Sequence, residues 1–291
     1  SRIQHIQQLK KSGKSMAEIA RELQAEHLGS SASVGLESAL IGRSPADTAG
    51  SDALLGLLEQ RYEVIRNLLK KRLPLLTDVA VLVADLQSSM RIRAELPPEE
   101  YFELINQIWA AMEPIFHRYY GTHGKHVGDG MVYYFFPQPD CNYRFHALLC
   151  AHEIKAAMRA ISKEWQLRKN WLNELYLNTG LDAGQEWLGV FHAQTKVEFT
   201  VLGDTLHHAA QLADYARNGT VWATKDLLGK LSTEERQRIS YGIRGKNQEG
   251  QEILVPSSYT RIAELLDLSV PKHDRLRDIA MLPVTEIIDI K

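Results

Sequence analysis

The chain is short of cysteine, of long apolar runs and of any surplus of one charge, and each shortage removes a class of protein. Only two cysteines, Cys141 and Cys150, occur in 291 residues. They show neither a C-x-x-C spacing nor the density of a secreted disulfide scaffold, so a reducing interior, the cytoplasm, is the expected compartment. No apolar run approaches the ~20 residues of a membrane-spanning helix, and the opening SRIQHIQQLKK lacks the apolar stretch of a signal peptide. No membrane partner is therefore expected. With 34 basic and 36 acidic residues the formal net charge is −2, which leaves nucleic-acid binding without a bulk electrostatic basis. What is present, 44% hydrophobic and 24% charged residues, is the composition of a soluble globular protein with a sizeable core.

The N-terminal quarter reads as helical. Ile3, Ile6 and Leu9, the break SGKS, then Met16, Ile19, Ala20 and Leu23 fit a helical hairpin over 1–27. Residues 28–51 are rich in Ser, Ala and Gly, lack a period and read as a linker. Over 52–73, Leu54, Leu58, Tyr62, Ile65, Leu69 and Leu73 step by three or four. That stripe predicts a helix that either packs on its own domain or pairs in a parallel dimer as a signalling element.

Strands and helices alternate from 77 to 264. DVAVLVADL predicts a buried strand, and LPPEE opens a helix with Phe102, Ile105, Trp109, Met112 and Phe116 on one face. GKHVGDGMVYYFF reads as a hairpin with Asp129 at its tip. A helix from about 143 to 165 follows, then strands at ELYLNTGLDAG and ending near FTVLG, a helix from Leu206 and a strand at GTVWAT. The order is that of an α+β, ferredoxin-like β-α-β-β-α-β domain. Residues 265–291 read as a C-terminal extension, helix or strand, packed against that domain.

Two carboxylates concentrate the chemistry. Asp85 ends the first predicted strand and Asp129 follows 44 residues later. In a β-α-β-β unit the two positions can lie side by side, where the carboxylates repel unless a cation neutralises them. Oxygen ligation suits Mg²⁺ or Mn²⁺ shared with substrate phosphates, in a two-metal arrangement. Asp-Gly is also a preferred hairpin dipeptide, so Asp129 alone leaves a plain turn open as well. The adjacent His207-His208 lacks the i, i+4 spacing of a zinc pair.

Four stretches resemble, in order and spacing, the catalytic domain of class III adenylate and guanylate cyclases: VLVADLQSSMRIRAELPPEE, GKHVGDGMVYYFFPQP, LNTGLDAGQEWLGVF and FTVLGDTLHHAAQLADYARNGTVWAT. The resemblance spans roughly Thr77 to Ile262. It implies two metal ions held by Asp85, the Leu86 carbonyl and Asp129, activating a ribose 3′-hydroxyl toward the α-phosphorus of a nucleoside triphosphate. Lys125 and Thr200 fall at the purine-reading positions and lean toward ATP. A homodimer with each site built from both subunits is implied as well.

The chain departs from that pattern in two places. The family's Asn and Arg, four residues apart on the helix after the Gly-Asp turn, fall at His207 and Gln211. Their spacing still places both on one helical face near an N-terminus suited to phosphate. Gln211, however, is uncharged and cannot form an arginine's bidentate clamp. The first motif reads Asp85-Leu86-Gln87-Ser88-Ser89-Met90, without the family glycine, which leaves the Ser88 and Ser89 hydroxyls as phosphate donors. These departures imply a regulatory, catalytically degenerate cyclase-homology protein that binds a metal-nucleotide. The alternative is a weak adenylate cyclase, or one that lends its aspartates to a heterodimer with a complete cyclase. At the other end, I-x-x-I-x-x-L-x-x-x-G-x-S-x-x-E-I-x-x-x-L resembles the helix pair after the wing of MerR-type transcription regulators. That likeness implies a recognition helix upstream of Ser1 and nucleic-acid contact through this arm alone; a plain dimerisation arm explains the same residues.

Overall fold

A computed structural model describes residues 74–193, 196–246 and 250–291. The predicted hairpin, linker and helix within 1–73 lie outside the described residues. Branched and free of proline, LLTDVAVLVADL forms β1 (Leu75–Leu86). Its unbroken apolar run suits a strand covered on both faces, and Val79 to Ala84 are all buried. The short α1 (Ser89–Glu95) leads to α2 (Pro98–Arg118), which has Pro98 and two glutamates in its first turn and His117 and Arg118 in its last. Both ends therefore complement the helix dipole. β2 (Thr122–Val127) and β3 (Gly130–Phe135) form a hairpin closed by Gly128-Asp129.

Asn142 then caps α3 (Tyr143–Lys169), accepting the Arg144 amide at 3.1 Å. β4 (Leu177–Ala193), β5 (Lys196–Leu202), α4 (Asp204–Tyr215) and β6 (Val221–Thr224) follow. After them come α5 (Lys225–Gly229), α6 (Thr233–Gln237), β7 (Ile239–Lys246) and β8 (Glu252–Pro256). The chain finishes with β9 (Thr260–Arg261), α7 (Ile262–Leu265), a 3-10 turn (Pro271–Leu276) and β10 (Pro283–Ile290).

One sheet collects the described strands in the order β2-β3-β1-β4-β6-β10-β7-β8, with β5 paired to β4 and β9 to β10. The first four strands are the expected ferredoxin-like unit, with β1 antiparallel to both β3 and β4. Side chains alternate across β1, so Ala80, Leu82 and Ala84 pack with Leu104, Ile108, Met112, Leu148 and Trp165 of α2 and α3. Val79, Val81 and Val83 pack on the other face with Leu188 and with Ala209 and Ala213 of α4. α4 descends onto β4 at Gly180, where a β-carbon would lie 2.1 Å from the Ala209 carbonyl oxygen. Only glycine permits that approach.

Two expectations change. α2 buries Leu104, Ile105, Ile108, Met112, Ile115 and Phe116, whereas Phe102 is 67% exposed and Trp109 is only half-buried. The buried stripe is therefore rotated from the predicted face, because it must meet both β1 and α3. Residues beyond 264 are not appended to a finished domain: β10 lies between β6 and β7 in the sheet, with Val284 to Ile287 buried. Among the described residues no helix is long and apolar enough to cross a membrane.

Candidate functional site

The register of β1 and β3 brings the two predicted carboxylates together. Ala84 faces Met131, so the turn preceding β3 falls beside the last residues of β1, and Asp129 meets Asp85. Asp85 is held up to about 6 from an ordinary 3.8, first by burial and then by the charges of Asp129 and Asp214, against a bond from the Leu86 amide. Asp129 Oδ2 is buried without a hydrogen-bond partner. A buried, unpaired oxygen next to a second carboxylate is an arrangement that a divalent cation would relieve, so these residues fit the expected metal. The Leu86 side chain is in the core, which leaves its carbonyl as the oxygen it can offer. No cluster of three or more His, Cys, Asp or Glu side chains with metal-binding geometry occurs among the described residues. Other ligand positions would therefore fall to backbone oxygens, water or phosphate, which suits Mg²⁺.

Sequence reasoning missed two neighbours of this pair. Asp214, at the end of α4, adds a third negative charge to the field at Asp85. The Tyr101 hydroxyl on α2 is raised by burial and then by Asp129, with Arg93 opposing. Tyr101 and Arg93 both follow the first motif closely in the chain, a proximity that could have suggested them. Asp214 had no such signal.

Ser88 lies in the left-handed region that glycine adopts most readily, with φ 58 and ψ 32. Its carbonyl accepts the amides of Arg91 and Ile92 and so starts α1, while its hydroxyl makes no capping bond. Ser89 is the first residue of that helix. The turn therefore holds a non-glycine residue in the left-handed region, which carries a conformational cost. Lys125 lies on β2 opposite Val132, and Val132 in turn faces Val83 on β1. Its side chain lies outside the described residues. Thr200 is on β5 opposite Gly189, whereas Asp85 is opposite Asn178 on the same β4. Eleven residues of strand separate those partners, roughly 35 Å at about 3.3 Å each. A single chain thus does not bring Thr200 to its own carboxylate pair.

His207 and Gln211 bind each other. His207 Nε2 and Gln211 Nε2 are 2.7 Å apart, and Asp278 Oδ2 lies 3.7 Å from the same imidazole nitrogen. Gln211 is 8% exposed, and its Oε1 is buried without a partner. The expected phosphate-friendly N-terminus of α4 is corrected by the structure. Glu186 on β4 accepts the Thr205 amide at 2.7 Å, and its carboxylate fills the space that a β-carbon on Gly203 would need. An anion supplied by the protein already caps the helix.

Next to them is a polar cluster that sequence reasoning also missed. Buried Asp182 accepts Thr224 Oγ1 at 2.5 Å and the Ala183 amide at 2.7 Å, and its Oδ2 lies 2.8 Å from His208 Nδ1. That bond is the first cause of a raised His208 pKa, opposed by burial. The pair ties α4 to β4 and β6. An acid between the two glycines of LNTGLDAG, in an otherwise buried strand, was a readable signal, but its partner 26 residues later was not.

The sequence model for the adenylate and guanylate cyclase catalytic domain matches residues 73–254. An uncharacterized protein of Mycobacterium tuberculosis is 29% identical over 177 residues, covering 58% of this chain and 31% of the relative. The chain therefore matches about a third of the length of such curated relatives. The crystal structure of the adenylyl cyclase CyaB from P. aeruginosa superposes with a TM-score of 0.56 at 18% identity, covering 75% of this chain and 96% of that one. The guanylate cyclase domain of RhGC from Catenaria anguillulae, in complex with GTP, gives 0.51 at 12%, covering 74% and 98%. At these identities the structural likeness is one of fold.

Proposed function

The chain belongs to the adenylate and guanylate cyclase catalytic domain family, and from that premise we propose that it is a dimeric cyclase-homology signalling protein that binds a metal-nucleotide with little or no turnover. One observation supports this reading above the others. The carboxylate pair Asp85 and Asp129 is assembled, whereas His207 and Gln211 are bonded to one another and Gln211 is buried and uncharged. When bound, Mg²⁺ or Mn²⁺ would neutralise the carboxylates and the substrate's phosphates and lower the barrier to attack by a ribose hydroxyl. Asp85, Asp129 and the Leu86 carbonyl would hold the metal, and the left-handed Ser88 turn would shape the backbone beside the phosphates. Lys125 and Thr200 would face the purine, favouring ATP. The strand distance between Thr200 and Asp85 supports a site shared by two chains, and a homodimer then repeats the same His207 and Gln211 defect in each site. Removing one preorganised transition-state donor costs roughly 10²–10³ in rate.

The weak or heterodimeric adenylate cyclase is the second reading, favoured by the left-handed turn at Ser88 and the assembled carboxylates. Incubation of the protein with ATP, GTP, CTP or UTP and Mn²⁺ separates the two. The expected result is nucleotide binding that Asp129→Ala removes, with no cyclic product. Turnover that disappears in Asp85→Ala would overturn the degenerate reading. If no product forms, the double change His207→Asn with Gln211→Arg is expected to raise turnover, since it restores the family pair.

A further inference from the structure

Between α3, the end of α4, β7, β10 and the 3-10 turn lies a cavity of about 980 Å³ that contains neither Asp85 nor Asp129 in its lining. Five Lys or Arg side chains face it against two carboxylates, Asp214 and Glu286. Glu286 is already engaged, accepting Arg244 Nε at 2.9 Å and Arg244 Nη2 at 3.3 Å. Arg217 directs its guanidinium to the last carbonyls of α4. Lys155, Arg159 and Arg275 remain, and none of their side chains makes a hydrogen bond or an ion pair with another described residue. Lys155 is half-buried, and its ammonium is lowered first by burial and then by Arg159, with Arg244 acting in the same direction and the charges of Glu286 and Asp289 opposing. Five cations against two carboxylates leave the cavity a surplus of positive charge, and an anion seated among them would offset the repulsion.

We infer that this cavity binds a small phosphorylated anion, with Lys155 and Arg159 as its principal cationic contacts and Arg275 closing from the 3-10 turn. A phosphate's several acceptor oxygens and its double charge match a lysine point charge set beside an arginine fork, which a single carboxylate would satisfy only in part. The volume is that of a site for a nucleotide-sized or smaller ligand. The inference is independent of the cyclase reading, since it uses none of the residues proposed to hold metal or purine.

Calorimetric titration of the full chain in EDTA, with inorganic phosphate and with adenosine 5′-monophosphate as probes, tests it without the metal site. One saturable site per chain is expected for at least one probe, and the tighter of the two identifies free phosphate or a phosphate ester as the ligand. Lys155→Gln and Arg159→Gln should each weaken binding by about tenfold or more. Asp129→Ala should leave it unchanged. If Lys155→Gln does not fold, the exposed pair Arg159→Gln and Arg275→Gln takes its place. Absence of saturable binding for both probes at millimolar concentration overturns the inference, as does binding that survives the cavity variants. Loss in Asp129→Ala overturns it too, by assigning the probe to the carboxylate pair.

Discussion

Asp85 is destabilising in its ionised form, and that is a statement about pH. In the unfolded chain its carboxyl titrates near 3.8, and in the folded protein at about 6. The folded state therefore binds more protons within that window, so stability falls as pH rises through it, and the full penalty is present above pH 6. Asp85→Asn, measured by urea denaturation in EDTA at pH 7, is expected to be more stable than the parent by about 1–2 kcal/mol, after allowing for solvent screening of a half-buried group. The difference should vanish near pH 4. Mn²⁺ must displace the same proton, so its rise in melting temperature should be larger at pH 7 than at pH 5. Equal stability of Asp85→Asn and the parent at pH 7 would remove the case for repulsion at this pair. The carboxylate pair itself was legible in the sequence, since strand, hairpin and an Asp at each end are local signals. Asp214 was not, because only the packing of α4 on the sheet brings its charge near Asp85.

The placement of α4 rests on contacts rather than on its own sequence. Its apolar face meets β4 at Gly180, Glu186 caps its first turn and Asp182 holds His208. A methyl group at Gly180 must push the helix backbone away, so Gly180→Ala is expected to cost about 1–3 kcal/mol in urea denaturation. Gly189 lies on the same strand, and a β-carbon there would have nothing within 4 Å, so Gly189→Ala should change stability by less than about 0.5 kcal/mol. Equal losses at both positions would show that strand propensity, not the helix contact, sets the cost. The helix was legible from GDTLHHAAQLADY, as were the first strand and the hairpin. The buried face of α2 was misread because a 3.6-residue period admits neighbouring stripes, and the choice between them is made by α3 and β1. The pairing of His207 with Gln211 follows from their i, i+4 spacing, yet the burial of Gln211 beneath an exposed His207 does not.

At the scale of the molecule the described residues form one sheet that the last strand completes from within. β10 bonds to β6 on one side and β7 on the other, so a chain ending at Leu282 would leave both with open edges and would expose Val284's core neighbours. Such a truncation is expected to lose its cooperative urea transition and to bind an apolar dye; a retained sharp transition would mean that residues 283–291 are dispensable to the fold. By itself the sequence determined the α+β class, the strand and hairpin that present Asp85 and Asp129, and the i, i+4 spacing of His207 and Gln211. These are local patterns, encoded in spacing and side-chain type within a few residues. Tertiary structure alone decided that Glu186 occupies the N-terminus of α4, that Asp182 reaches His208, that β10 enters the sheet, and that Lys155 and Arg159 face a cavity with Arg275. Each of those depends on segments far apart in the chain meeting in space, and a hydrogen bond or a charge acts through distance in space, which the order of residues does not record.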